Sequence, residues 1–386
     1  MRHTGEAFEL EAMRPARSRN KLAVRTVSCV PFVHQGARMK TRHALASAAA
    51  LLAIALTTVT HASEPKPGPL TIDSQGSFFI GGDVKRAPPS AAAGPNAAPA
   101  DITINQMYVQ YQIPLQAGKH TPVVMVHGCC LSAKTWETTP DGRMGWNEYF
   151  LRKGRSVYLA DQVSRGRSGF DPSAISAVKS GAAPPGSLPN IIAASHQVAW
   201  TVFRFGPSYP KPFDDEQFPV AAASELYKQM IPDLNALLPS PNPTWTNMAA
   251  LAKQLKGAVL MGHSESGFFP QQAALIDPSG IRGMISIEQQ CPDLPQAQIA
   301  TLARIPTLVM FGDHLDIKSD IVNWKSSYDG CNAYVEKVKA AGGDVTMMWL
   351  PTLGIKGNSH MLMQDKNNQQ LADLILGWLD KHVDKK

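Results

Sequence analysis

Several short runs in this 386-residue chain are apolar at all or nearly all positions, the pattern of strands covered on both faces rather than one. Val123 to Val126, Val157 to Ala160, Ala258 to Met261, Met284 to Glu288, Thr307 to Phe311 and Val345 to Leu350 are read as such strands. Met107 to Ile113 alternates apolar and polar residues and is read as a half-buried strand. Between the runs, Trp146 to Arg152, Phe268 to Ile276, Asn332 to Ala341 and Gln369 to Val383 carry helical spacing. Strands alternating with helices predict an α/β fold, a mostly parallel central sheet with helices on both faces.

Two stretches break this rhythm. Residues 63–100 are rich in Pro, Ala and Gly and read as an arm or linker, with an edge strand at Gly76 to Gly82. Residues from about 170 to 246 are too long for a simple connection. They contain many prolines, the aromatics Trp200, Phe203, Phe205, Tyr209, Phe213 and Trp245, and a helix expected from Ala221 to Leu238. This insertion is expected to lie over the end of the sheet as a cap within a domain spanning 101–386. Any single aromatic in it has the simpler reading of packing the insertion onto the body.

Charge changes the picture at the N-terminus. The chain is formally +6, but nine Lys or Arg and three acidic residues fall in 1–62, so the remaining 28 of each sign cancel. Met39-Lys40-Thr41-Arg42-His43, the apolar stretch Ala44 to Val59 and the small-x-small site Thr60-His61-Ala62 have the layout of a secretory signal peptide. The stretch is shorter than the roughly 20 apolar residues of a membrane span and is interrupted by Ser47, Thr57 and Thr58. Residues 1–62 are therefore read as leader and signal, the signal proper being 39–62, with Met39 competing with Met1 as the start. The basic excess leaves with the leader, which argues against nucleic acid or an anionic membrane as a partner.

The chemistry concentrates where strands end. Gly262-His263-Ser264-Glu265-Ser266-Gly267 follows the strand Ala258 to Met261. A sharp strand-to-helix turn that presents a nucleophile needs small residues two positions either side of it, the elbow of an α/β-hydrolase. Ser264 meets that test. Ser266 does not, because Phe268 would take its second small position. A hydroxyl nucleophile needs a base and an orienting acid. His360, on a loop between the last strand and the last helix, is the candidate base. The acid is open between Glu288, at the end of an apolar strand, and Asp313 or Asp316 after the next one; the plainer role for Glu288 is an ion pair with Arg282 or Arg304. Oxyanion donors are expected from the N–H groups of Glu265 and of Cys129, in the loop His127-Gly128-Cys129-Cys130. Once Cys29 leaves with the leader, four cysteines allow three pairings. Adjacent residues place their Cα atoms about 3.8 Å apart, under the usual disulfide minimum near 4.4 Å. No cluster has zinc-like spacing and no Gly-rich phosphate loop occurs, so neither metal nor cofactor is expected.

The runs Val126 to Cys130, Trp136 to Trp146, Asp161 to Ser168 and the Ser264 elbow together resemble the secreted bacterial esterases of the esterase 713 type, α/β-hydrolases, over most of the chain after Ser63. The resemblance implies a Ser264, His360 and Glu288 triad, a vicinal Cys129–Cys130 disulfide that shapes the oxyanion loop, and a homodimer. With that ring formed, Cys291 would pair with Cys331. The expectation is a secreted or periplasmic carboxylester hydrolase with a small-molecule ester substrate and no stable membrane anchor after cleavage. Amide, lactone or perhydrolysis chemistry on the same residues, or a non-catalytic ligand-binding protein on this scaffold, are the alternatives.

Overall fold

The apolar runs all become strands of one sheet, the last of them (Val345–Trp349) at its edge and the others inside it. Its eight strands are β1 (Ile72–Ala87), β2 (Ala100–Pro114), β3 (Val123–Val126), β4 (Val157–Ala160), β5 (Ala258–His263), β6 (Ile281–Ile287), β7 (Thr307–Phe311) and β8 (Val345–Trp349). The structure is a computed structural model and describes residues 68–89, 97–117 and 120–385. Among these the strand order is β1-β2-β4-β3-β5-β6-β7-β8. β1 and β2 pair antiparallel, as do β2 and β4, and every later pair is parallel. The fold is that of an α/β-hydrolase.

Period-two alternation assigns each strand residue to one of two cores. Val123, Met125, Val259, Met261, Ile285 and Ile287 enter a core that also holds Trp146 and Phe150 of α1 (Trp146–Arg152) and Leu371, Ile375 and Leu379 of α9 (Asn368–His382). Val124, Val126, Leu260 and Met284 face the other way, onto Met248 and Leu251 of α5 (Pro243–Gln254), Ala273 of α6 (Phe269–Ile276), Leu302 of α7 (Gln296–Leu302) and Val335 of α8 (Trp324–Ala340). Parallel register then lines up the strand ends: Val126 pairs with Gly262, His263 with Ile287, and Ile287 with Met310. The loops starting at His127, Ser264, Glu288 and Gly312 consequently leave the sheet side by side, where open α/β sheets bind ligands.

Three expectations are corrected. Residues 72–87, expected as an arm with an edge strand only at 76–82, form the 16-residue edge strand β1, which is longer at both ends. Its exposure alternates residue by residue from Ile72 to Ile80, and only Ile80 and Ala87 are buried, so the pattern is carried largely by small and polar side chains. The expected helix from Ala221 to Leu238 shrinks to α4 (Ala223–Lys228). Pro232 lacks an N–H and disfavours helical Ile231 before it; the Ile231 N–H instead donates to the Cys130 carbonyl at 2.9 Å. Conversely α8 starts eight residues before Asn332, because the Asn323 side chain caps it by accepting from Ser326 N–H at 3.0 Å.

The insertion over the strand ends also carries α2 (Ser173–Lys179) and α3 (His196–Val202). Phe205 stacks on Phe218 at 3.9 Å between centroids and meets Trp200 edge-on at 5.7 Å within the insertion, and these rings share a buried cluster with Leu350 and Met361 of the body. The signal peptide and the Met1 or Met39 start fall outside the described residues. No helix among the described residues is long and apolar enough to cross a membrane.

Candidate active site

Ser264 begins the turn directly after β5 with φ +57°, a left-handed conformation unusual for a residue with a side chain. Its neighbours show why small residues are needed. A Cβ on Gly262 would lie 1.9 Å from the Ser266 carbonyl oxygen, and one on Gly128 would lie 2.8 Å from the Ser264 Cβ. Ser264 is half-buried, whereas Ser266 is fully buried: its hydroxyl donates to the Val126 carbonyl at 2.9 Å and accepts from His263 N–H at 3.0 Å. Ser266 closes the elbow and has no face for a substrate.

His360 lies on the loop between β8 and α9 and is fully buried, its Nδ1 3.2 Å from Glu288 Oε2. The other ring nitrogen, Nε2, has no hydrogen-bond partner. Nδ1 facing a carboxylate holds the proton there and leaves Nε2 free to accept one. The ring is fixed by Trp324 at 4.3 Å and Phe203 at 5.6 Å between centroids. Its backbone is held as well, the N–H donating to the Phe203 carbonyl at 2.8 Å and the carbonyl accepting from His263 Nε2 at 2.9 Å. Burial lowers the His360 pKa below the ordinary imidazole value; the Glu288 hydrogen bond opposes this.

Glu288 is fully buried at φ +56°, just past β6. Burial alone would raise its carboxyl, but Arg204 and the His360 hydrogen bond outweigh that and bring it to about 2. Asp313 is engaged elsewhere, accepting from the N–H groups of His314 at 2.7 Å and Gly357 at 3.0 Å. Asp316 is exposed. The expected arginine partners of Glu288 are corrected too, since Arg282 and Arg304 are exposed and the ion pair comes from Arg204, with Nη2 2.6 Å from Oε1 and Nη1 2.8 Å from Oε2.

Two loops with candidate oxyanion donors converge on Ser264. The side-chain amide of Gln162 donates to the His127 carbonyl at 2.6 Å and to Glu265 Oε2 at 3.2 Å, so it bridges the loop that carries Cys129 and the residue after Ser264. Arg165, fully buried, pairs with Asp233 and approaches Glu265 at 3.3 Å, while Asn235 also donates to Glu265. Burial raises the Glu265 carboxyl to about 7, Arg165 opposing and Asp233 adding to the shift. The vicinal disulfide is not formed: Cys129 and Cys130 are free, with Sγ atoms 2.8 Å apart, beyond the about 2.05 Å of an S–S bond. Cys291 and Cys331 are bonded, which ties the segment after Glu288 to α8. One Asp233 carboxylate oxygen and both thiols lie within 4.8 Å of one another. Asp233 already has Arg165 as its counter-ion there.

Sequence reasoning missed Arg204, Gln162, Arg165 and His263. A signal for the first was present. Val202-Phe203-Arg204-Phe205 sets a guanidinium among large apolar side chains, and a charge buried there requires an opposite one.

A left-handed serine at a strand-to-helix turn, a buried histidine on a carboxylate and an insertion over parallel strand ends are the arrangement of an α/β-hydrolase. A bacterial esterase solved at atomic resolution is 49% identical to this chain and matches it with a TM-score of 0.79, over 83% of this chain and 99% of the other. The chain belongs to the family of that bacterial esterase. A probable secreted lipase, phiG, from a fungal species (strain ATCC 74256) is 27% identical over 323 residues, 71% of this chain and 86% of its own length. No protein-family model matches the chain.

Proposed function

We propose that this protein is an exported carboxylester hydrolase that works through an acyl-enzyme on Ser264. The observation that carries the reading is the His360 ring, whose Nδ1 is bound to Glu288 while Nε2 has no hydrogen-bond partner. Ser264 Oγ attacks the ester carbonyl carbon as His360 Nε2 takes its proton. The negative charge on the tetrahedral oxygen is met by the N–H groups of Glu265 and Cys129. As the intermediate collapses, the alcohol leaves with the proton from His360. Water then attacks the acyl carbon, gives its proton to Nε2, and the acid departs with Ser264 restored. Glu288 stabilises the imidazolium in both halves and stays ionised throughout, in keeping with a carboxyl held at about 2.

Labelling with a fluorophosphonate tests this directly. Peptide mass spectrometry should place the adduct on Ser264, and p-nitrophenyl esters should show a burst of one alcohol per site. An unlabelled protein without ester turnover would favour a ligand-binding role for the scaffold. A series of acyl chain lengths and aromatic esters would define the substrate.

Export rests on the 39–62 signal pattern and on a relative described as secreted. The recovered protein should begin near Ser63; one beginning at Met1 or Met39 would rule out cleavage. The homodimer implied by the esterase resemblance predicts twice the chain mass in light scattering after removal of the leader.

A further inference from the structure

We propose that Arg204, supplied by the cap, is a positioning residue of the catalytic centre: its guanidinium fork holds both oxygens of Glu288 so that Oε2 stays on His360 Nδ1. This rests on the reading of Ser264, His360 and Glu288 given above. Arg204 is fully buried, sits at φ +60° directly after α3 and Phe203, and reaches Glu288 across 84 residues of sequence. Its Nε donates to the Asp313 carbonyl at 2.7 Å, and its guanidinium carbon lies 5.1 Å from the centre of the Trp324 ring that also flanks His360. All three nitrogens of the group are therefore bonded to residues of the site, and an aromatic ring lies beside it.

The division of labour on the carboxylate is unequal. Oε1 accepts from Arg204 Nη2 and from Gly312 N–H, at 2.6 and 2.5 Å. Oε2 is shared between Arg204 Nη1 at 2.8 Å and His360 Nδ1 at 3.2 Å, so the bond to the base is the longest of the four. A bidentate guanidinium fixes the plane of a carboxylate as well as its charge. It also draws the negative charge away from the imidazole, which leaves the base less basic than a carboxylate held only by neutral donors would make it.

Other titratable groups sit on segments bonded to the His360 loop. His263 comes from β5, with burial and then His360 holding its pKa far down. Asp365, from the loop before α9, is raised by burial to about 6 and accepts from Ser359 and Asn358. Glu216, from the cap, is raised to about 9 by burial and by Asp365. Asp365 at about 6 and Glu265 at about 7 are both held near the expected acid limb; Asp365→Asn separates the first from His360, and Glu265 keeps its Arg165 and Gln162 surroundings in every Arg204 variant.

The experiment is kcat and KM against pH on a p-nitrophenyl ester for the exported protein and for Arg204→Met, Arg204→Lys and Asp365→Asn, with circular dichroism for folding and fluorophosphonate mapping of the nucleophile. Arg204→Met should lower kcat about 100-fold, the scale of a misplaced catalytic group, change KM less than about threefold, and move the acid limb of kcat/KM to higher pH, because a cation beside the imidazolium is gone. Arg204→Lys should leave the limb in place, since the charge remains, and lower kcat about tenfold, since one ammonium cannot hold both oxygens. Asp365→Asn should leave the limb in place. A folded Arg204→Met whose kcat falls without movement of the limb, or a folded Arg204→Lys with parental kcat, overturns the proposal. If Arg204→Met does not fold, Arg204→Lys decides on kcat alone. An adduct on a residue other than Ser264 would instead sink the reading of the centre on which the proposal rests.

Discussion

The hydroxyl of Ser266 donates to the carbonyl of Val126 at 2.9 Å and so pins the elbow after β5 to the end of β3. Two serines two residues apart thus differ in kind: Ser264 faces the site and Ser266 faces the sheet.

Ser264→Ala should reduce kcat by about 10⁶-fold, the loss seen when a triad nucleophile is removed, with no change in the thermal transition. Ser266→Ala should do the reverse, costing about 1 to 3 kcal/mol for buried polar groups left unsatisfied while much of kcat survives. Steady-state kinetics and calorimetry on the two variants check this, and equal kinetic losses would remove the distinction.

Glu288→Gln should lower kcat by about 10⁴-fold, as replacing a triad acid by its amide does. Asp313→Asn and Asp316→Asn should stay within about tenfold of the parent, since neither carboxylate meets His360. The opposite ranking in kcat would return the acid to the loop after β7.

The acid limb of kcat/KM should lie below pH 6.5, because His360 must be neutral to act and burial lowers its pKa. Stability carries a different signature. Glu288 has its folded pKa depressed to about 2 from an ordinary 4.5, so its contribution is complete above pH 4.5 and is lost as pH falls through 2. Acid unfolding followed by tryptophan fluorescence should therefore be less steep over that window in Glu288→Gln, and an unchanged profile would contradict the assigned shift.

Gln162→Leu removes the amide shared by the His127 carbonyl and the Glu265 carboxylate at similar volume. The expected loss is about 10²-fold in kcat, the low end of losing one oxyanion donor, with KM nearly constant. A variant with parental kcat would show that the two loops need no common brace.

The Cys291–Cys331 bridge spans 40 residues, worth about 4 kcal/mol on the chain-entropy estimate. Replacing both by serine should lower the thermal midpoint before it lowers activity. Scanning calorimetry with and without reductant would read the same difference in the parent protein.

Strand interiors and strand ends were legible because burial on two faces leaves an uninterrupted apolar run, as at Val123 to Val126 and Thr307 to Phe311. Ser264, Glu288 and His360 were legible for a related reason: each directly follows, or lies a short loop beyond, such a run. β1 was legible only from Gly76 to Gly82, since Ser74, Gln75, Gly76 and Ser77 carry its alternation and pairing with β2 is what extends it. Arg204 with Glu288, and Gln162 with His127 and Glu265, were hidden because they are contacts between segments 35 to 103 residues apart. No local period encodes such pairs.

The Ile231–Cys130 and Phe203–His360 backbone hydrogen bonds join the insertion to the loop beside Ser264 and to the loop of His360. For protein engineering this makes the insertion a poor unit of exchange. A chimaera that swaps residues 170–246 for a relative's segment, in search of a new substrate range, also swaps part of the scaffolding of the reaction itself. Libraries that randomise exposed positions such as Phe170, Leu188 and Ile191 while keeping 203–205 and 231–235 intact would vary the outer surface of the insertion and leave those ties in place.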